Sequence, residues 1–118
     1  MSVARPAYLE ITQSNATTYE ILWKQPTMGN LAVHIVPHLS NGWLERRPDT
    51  QYVASTFEIR KWMVHAPSGS PGPAGSRITI EGLGFSAIDV FVRVHLLGVK
   101  RSEALLVPQG PDLVEAAR

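Results

Sequence analysis

The chain of 118 residues is 44% hydrophobic and 18% charged, a balance that suits one folded domain with its own core and excludes an intrinsically disordered chain. A formal net charge of +1 supplies neither the basic footprint of a nucleic-acid binder nor a field that would draw the chain to an anionic membrane surface. Cysteine is absent, which excludes a disulfide framework, a thiolate zinc site and a thiol nucleophile.

The opening Met-Ser-Val-Ala-Arg-Pro has no apolar segment of the signal-peptide kind, and no apolar run approaches the ~20 residues of a membrane helix. The chain is therefore expected to be either cytoplasmic or a mature or trimmed piece. Ala7, Leu9 and Ile11 alternate with Tyr8, Glu10 and Thr12, the period of a first strand, with Pro6 at its start where a strand tolerates it. Ser14 to Thr17 supplies turn-forming side chains, and Asn15-Ala-Thr17, which matches a glycosylation acceptor, reads most simply as that turn. Tyr19, Ile21 and Trp23 then share one face of a second strand, predicted to form an antiparallel hairpin with the first.

Pro26 and Gly29 end that strand. Leu31 to Val36 is predicted to be a third, with Leu31, Val33 and Ile35 inward until Pro37 stops it. From Pro37 to Gln51 the alternation fails, which predicts a long connection holding at most one short edge strand. Tyr52–Ala54 reads as a short strand and Phe57–His65 as a long one, with Trp62 and Val64 inward. Ala66 to Ser76, rich in Pro, Gly and Ser, is a loop. Arg77–Glu81 is a strand, and Ser86–Leu96 is the clearest one. In it Ile88, Val90, Val92, Val94 and Leu96 alternate with Asp89, Phe91, Arg93 and His95, so one side is wholly aliphatic. Gly82-Leu-Gly84 between the two reads as a strand connection, since it lacks the third glycine and following helix of a phosphate loop. Glu103–Val107 is a last strand, and Asp112–Arg118 is expected to form a helical turn or stay disordered.

Seven to eight short strands without a helical period predict an all-β fold, an antiparallel β-sandwich of immunoglobulin-like kind, with a small barrel as the alternative. Residues 1–118 form a single domain in this reading, with tails at 1–4 and 112–118.

Arg5-Pro-Ala-Tyr-Leu-Glu-Ile11, Tyr19 to Trp23-Lys24 with Pro26, Trp62 with Val64, and Ile80-Glu-Gly-Leu83 leading to Asp89-Val-Phe-Val-Arg-Val94 resemble, in order and spacing, the N-terminal domain of HupE/UreJ-type bacterial membrane proteins. The likeness spans roughly Arg5 to Pro111. It implies a periplasmic or otherwise extracytoplasmic domain that follows a signal peptide and precedes membrane helices. Neither is present in these residues, and the intramembrane histidine motif tied to nickel or cobalt passage has no counterpart, so transport does not carry over.

The chemistry-bearing residues admit few constellations. His34, His38, His65 and His95 invite a nickel, cobalt or other transition-metal reading, because imidazole is the commonest ligand for such ions. His34 and His38, however, would lie ~13 Å apart along one strand, and without a spaced ligand motif surface or strand-end histidines are favoured. Glu10, Glu20, Glu45, Asp49, Glu58, Glu81, Asp89 and Glu103 are spread over outward positions and loops, with no pair forced together by spacing. No Gly-x-Ser-x-Gly turn supports a nucleophilic serine. Trp23 and Trp62 read as core. Trp43, beside Arg46 and Arg47, is the aromatic most open to exposure, although packing beneath its own loop is favoured. Phe91 and Arg93 on the polar face of the clearest strand complete the partner-surface candidates.

The expectation is a non-catalytic binding or spacer module whose partner is a protein or a membrane-embedded segment, with no nucleic acid and with self-association open. A histidine-based metal-handling module is the alternative. A small hydrolase or sugar-binding domain has least support and would need a cleft lined by paired carboxylates or exposed tryptophans.

Overall fold

A computed structural model describes residues 5–27, 34–108, 110 and, for the backbone alone, 113–115. The strands are β1 (Ala7–Gln13), β2 (Thr18–Pro26), β3 (Val36–Leu39), β4 (Thr50–Ala54), β5 (Phe57–His65), β6 (Arg77–Glu81), β7 (Val90–His95), β8 (Ser102–Leu106) and β9 (Leu113–Glu115). They form a six-stranded sheet ordered β4-β5-β2-β1-β7-β8 and a three-stranded sheet ordered β3-β6-β9. The fold is an all-β sandwich. Among the described residues the sheets keep open edges, so they do not close into the alternative barrel.

The core lies where the alternation places it. Ala7, Leu9, Ile11, Ile21, Trp23, Val90, Val92 and Val94 turn inward from the large sheet, joined by Tyr19, Trp62, Val64 and Leu106. Leu39, Ile78 and Ile80 meet them from the small sheet. Burying this apolar area is the main force holding the two sheets together. The hairpin turn between β1 and β2 is closed by Asn15, whose Oδ1 accepts the Thr17 N–H at 3.0 Å, the local bond that suits asparagine to turns.

Several expectations change. Every strand pair is antiparallel except β1 with β7, which run parallel from Ala7 opposite Val90 to Thr12 opposite His95. The cause is the path from β6, which lies in the other sheet. Gly82, at φ 83°, turns the chain into a 3-10 turn, Leu83–Phe85, and residues 86–89 carry it across the core. The clearest strand is thus shorter than its alternation: Ile88 is buried but precedes β7. Its lead-in is tied down by Ser86 Oγ, which donates to Leu83 O at 2.8 Å, and by Asp89 O, which accepts the Ala7 N–H at 2.8 Å.

Pro37 does not stop a strand but sits inside β3, opposite Ile80. At the edge of the small sheet a residue without an N–H loses no ladder bond. Of the predicted third strand, Leu31 and Val33 lie outside the described residues, and Ile35 is buried. The C-terminal segment expected to be helical or disordered supplies β9, paired with β6 from Thr79 opposite Leu113. The tail at 1–4 lies outside the described residues.

Candidate partner-binding face

Because side chains alternate across a strand, the residues opposite the core form a second surface on the outer face of the six-stranded sheet. The register places Tyr52, Ile59, Lys24, Tyr8, Phe91 and Leu105 in one row across it. Beside that row run Thr50, Lys61, Leu22, Glu10, Arg93 and Glu103. An apolar and aromatic band therefore lies along a charged one.

The centre of the face is tightly organised. Tyr8 and Phe91 are neighbours on the parallel pair, stacked with centroids 5.9 Å apart and planes 15° from parallel. The Arg93 guanidinium lies 5.6 Å from the Phe91 centroid and 5.9 Å from that of Tyr8, within the range of cation–π attraction. Arg93 Nε donates to Glu103 Oε2 at 2.9 Å, and Nη1 lies 4.0 Å from Glu10 Oε2. Tyr8 Oη donates to that same Glu10 oxygen at 2.9 Å. Partial burial, followed by the bond to Glu10, pushes the Tyr8 hydroxyl above its ordinary pKa, because both disfavour the phenolate. Tyr8 thus remains a neutral donor. Further along, the Lys24 ammonium lies 4.3 Å from the Phe57 centroid and Arg5 Cζ 5.5 Å from it, while Leu105 is 55% exposed.

The sequence candidates divide. Phe91 and Arg93 fall in the middle of this face. Trp43 is partly buried and packs on Tyr19, with centroids 4.8 Å apart. Arg46 is committed to its own loop: it donates to Asp49 Oδ2 at 3.1 Å and to the Met63 carbonyl, while its own carbonyl accepts the Trp62 indole N–H at 2.9 Å. Arg47 is exposed. Two carboxylate pairs that spacing did not join are brought together around a shared basic side chain, Glu10 with Glu103 at Arg93, and Glu45 with Glu81 at His38.

His38 Nδ1 lies 2.9 Å from Glu45 Oε1, and Nε2 lies 2.9 Å from Glu81 Oε1. The bonds to Glu45 and then Glu81 raise its pKa above the ordinary value against a smaller opposing effect of burial. The remaining histidines do not join it. His34 is exposed ahead of β3, and His65, with Thr18 Oγ1 3.4 Å from its Nδ1, is separated from His95 by β2 and β1, about 14 Å at ordinary strand spacing. Among the described residues no group of three or more His, Cys, Asp or Glu side chains is placed to hold a metal ion.

Sequence reasoning missed Tyr8 and Leu105 as members of the face, because only the β1–β7–β8 pairing brings them beside Phe91. It also missed Phe85, fully exposed at the end of the 3-10 turn. Among the described residues no helix is long and apolar enough to cross a membrane. No family model, no curated protein and no solved structure matches the chain.

Proposed function

We propose that this chain is a non-catalytic binding domain that receives a protein partner, or a membrane-embedded segment of one, on the outer face of its six-stranded sheet. We read it as an extracytoplasmic domain of a HupE/UreJ-type membrane protein. The location and family rest on the sequence resemblance alone, and the binding role rests on the Tyr8–Phe91–Arg93 cluster with Leu105 beside it. Aromatic residues and arginine are the side chains enriched at interaction hot spots. Arg93 is already oriented by Glu103 and Glu10, so a partner that covers it orders little that is mobile.

Photo-crosslinking in the native cell tests this reading. A photoreactive phenylalanine analogue at position 91 or 105 is expected to yield a discrete adduct in the membrane fraction, and the same group at position 68, exposed in the 66–76 loop, none. Equal labelling from all three positions, or none from 91 and 105, would refute it.

A further inference from the structure

β4 is a free edge of the six-stranded sheet, and its five residues, Thr50-Gln-Tyr-Val-Ala54, are all exposed. It carries no charge and no proline. Of the other three edges, β3 holds Pro37, β8 holds Glu103, already paired to Arg93, and β9 is only three residues long and includes Glu115. An edge without such protection is a template for another strand.

The ladder shows which backbone groups are open. The hydrogen bonds from Ala66 N–H to Thr17 O and from Thr27 N–H to Thr56 O mark the bonded phase at both ends of the β2–β5 ladder. Since bonded and non-bonded pairs alternate, the odd-numbered residues of β5 direct their polar groups to β4. Those residues pair with Thr50, Tyr52 and Ala54, so the N–H and C=O of Gln51 and Val53 point away from the sheet. Among the described residues nothing pairs with them.

We infer that β4 is a strand-addition site for a second copy of this chain, joining two six-stranded sheets into one across a two-fold axis at Tyr52. In that antiparallel register Gln51 of each copy opposes Val53 of the other, and all the outward N–H and C=O groups of both residues are satisfied at once. Tyr52 faces Tyr52 as a non-bonded pair, the closer kind, and Thr50 faces Ala54. No charge opposes a like charge. The backbones of the two β5 strands lie about 14 Å apart, three strand spacings, and the one β5 cation that leans over β4, Lys61, has its ammonium 6.0 Å from the Tyr52 centroid, where the ring attracts it. Asp49, at the margin, is held at home by the Met63 N–H at 2.6 Å. Val53, 65% exposed, and Tyr52, 42% exposed, supply the apolar area that the contact covers.

Sedimentation equilibrium of the whole chain tests this. The average mass is expected to rise from 13.0 kDa towards twice that value with a dissociation constant on the order of 0.1 mM, as befits a contact smaller than standard interfaces. Val53→Lys should weaken association at least about tenfold, the effect of a lysine on a free edge, and Val99→Lys, at an exposed position in the turn between β7 and β8, should leave it unchanged. Because the chain lacks cysteine, Tyr52→Cys gives a second readout. A facing pair ~4.5 Å apart at Cα is within disulfide reach, so it should oxidise to a covalent dimer at least about tenfold faster than Val99→Cys. A monomer at about 1 mM, an association lost in Val99→Lys but kept in Val53→Lys, or equal oxidation at both positions would overturn the inference. None of these results bears on crosslinking from position 91.

Discussion

The crossing from β6 to β7 depends on Gly82, and Gly82→Ala measures how much. At φ 83° a side chain is strained, and a Cβ built there would lie 2.2 Å from the His34 carbonyl oxygen, whereas real Cβ contacts essentially never fall below 3.0 Å. That carbonyl cannot simply recede, because two residues on Val36 pairs with Glu81 and begins the β3–β6 ladder. The left-handed conformation alone costs about 1–2 kcal/mol, and forcing backbone apart adds about 1–3 kcal/mol. Gly98, at φ +75° with nothing within 4 Å of its Cβ site, isolates the first effect. Gly98→Ala is therefore expected to lose about 1 kcal/mol, after the gain from stiffening the unfolded chain, and Gly82→Ala, with the same gain and the added displacement, about 2–4 kcal/mol. Urea unfolding followed by tryptophan fluorescence reads the difference. With slopes of about 1–3 kcal/mol per molar for small domains, the Gly82→Ala midpoint should fall more than about 0.3 M below that of Gly98→Ala. Midpoints that agree within about 0.3 M would show that the His34 carbonyl does not constrain the turn.

Other outcomes follow from single contacts. Asp49→Ala removes the acceptor for both the Met63 N–H and Arg46 and should cost about 1 kcal/mol, because water reaches the freed groups; a red shift of Trp62 emission would accompany it as the loop holding its indole loosens. Leu9→Ala empties a fully buried site and should cost about 2–5 kcal/mol, while Leu105→Ala on the outer face should stay within about 0.5 kcal/mol in the same urea assay. The folded pKa of His38 stands above its ordinary 6.5. Its contribution to stability is thus complete below pH 6.5 and is lost as pH rises through the raised value. The step, held to about 1 kcal/mol or less by solvent, should disappear in His38→Gln when thermal midpoints are compared from pH 5 to 9. Calorimetric titration with Ni²⁺, Co²⁺, Cu²⁺ or Zn²⁺ is expected to show no micromolar binding, since the four histidines do not converge.

What the sequence revealed and what it hid have a common cause. Alternation is local, so the inward sets on β1, β2, β5 and β7 could be read from Ala7, Trp23, Trp62 and Val92 and their neighbours, and the same parity put Phe91 and Arg93 on the opposite face. Pairing is not local. Nothing near Tyr8 announces that Phe91 will stack on it, nor anything near Glu10 that it will share Arg93 with Glu103, because both depend on a parallel pairing that only the crossing at Gly82 sets up. Pro37 and β9 were misread for a related reason. A strand of three or four residues shows little period, and whether a proline breaks it turns on where in the sheet it lies.

The unequal width of the two sheets explains why the large one has surfaces to offer. Three strands cannot cover six, and the inner face changes character where cover ends. Trp23 is wholly buried, but opposite it on β5 stands Arg60, only partly buried, bonded to Glu58 Oε1 at 2.7 Å. The Trp23 indole N–H donates to Gln25 Oε1 at 2.8 Å, so the row beyond the last core tryptophan is already polar. One strand further out, Val53 has the inward parity of a core residue yet lies mostly in solvent. A strand on the inward face of a sheet, uncovered and uncharged, can satisfy its edge only sideways. The register that does so for Gln51 and Val53 follows from the same alternation that packs Leu9 and Val92 into the core.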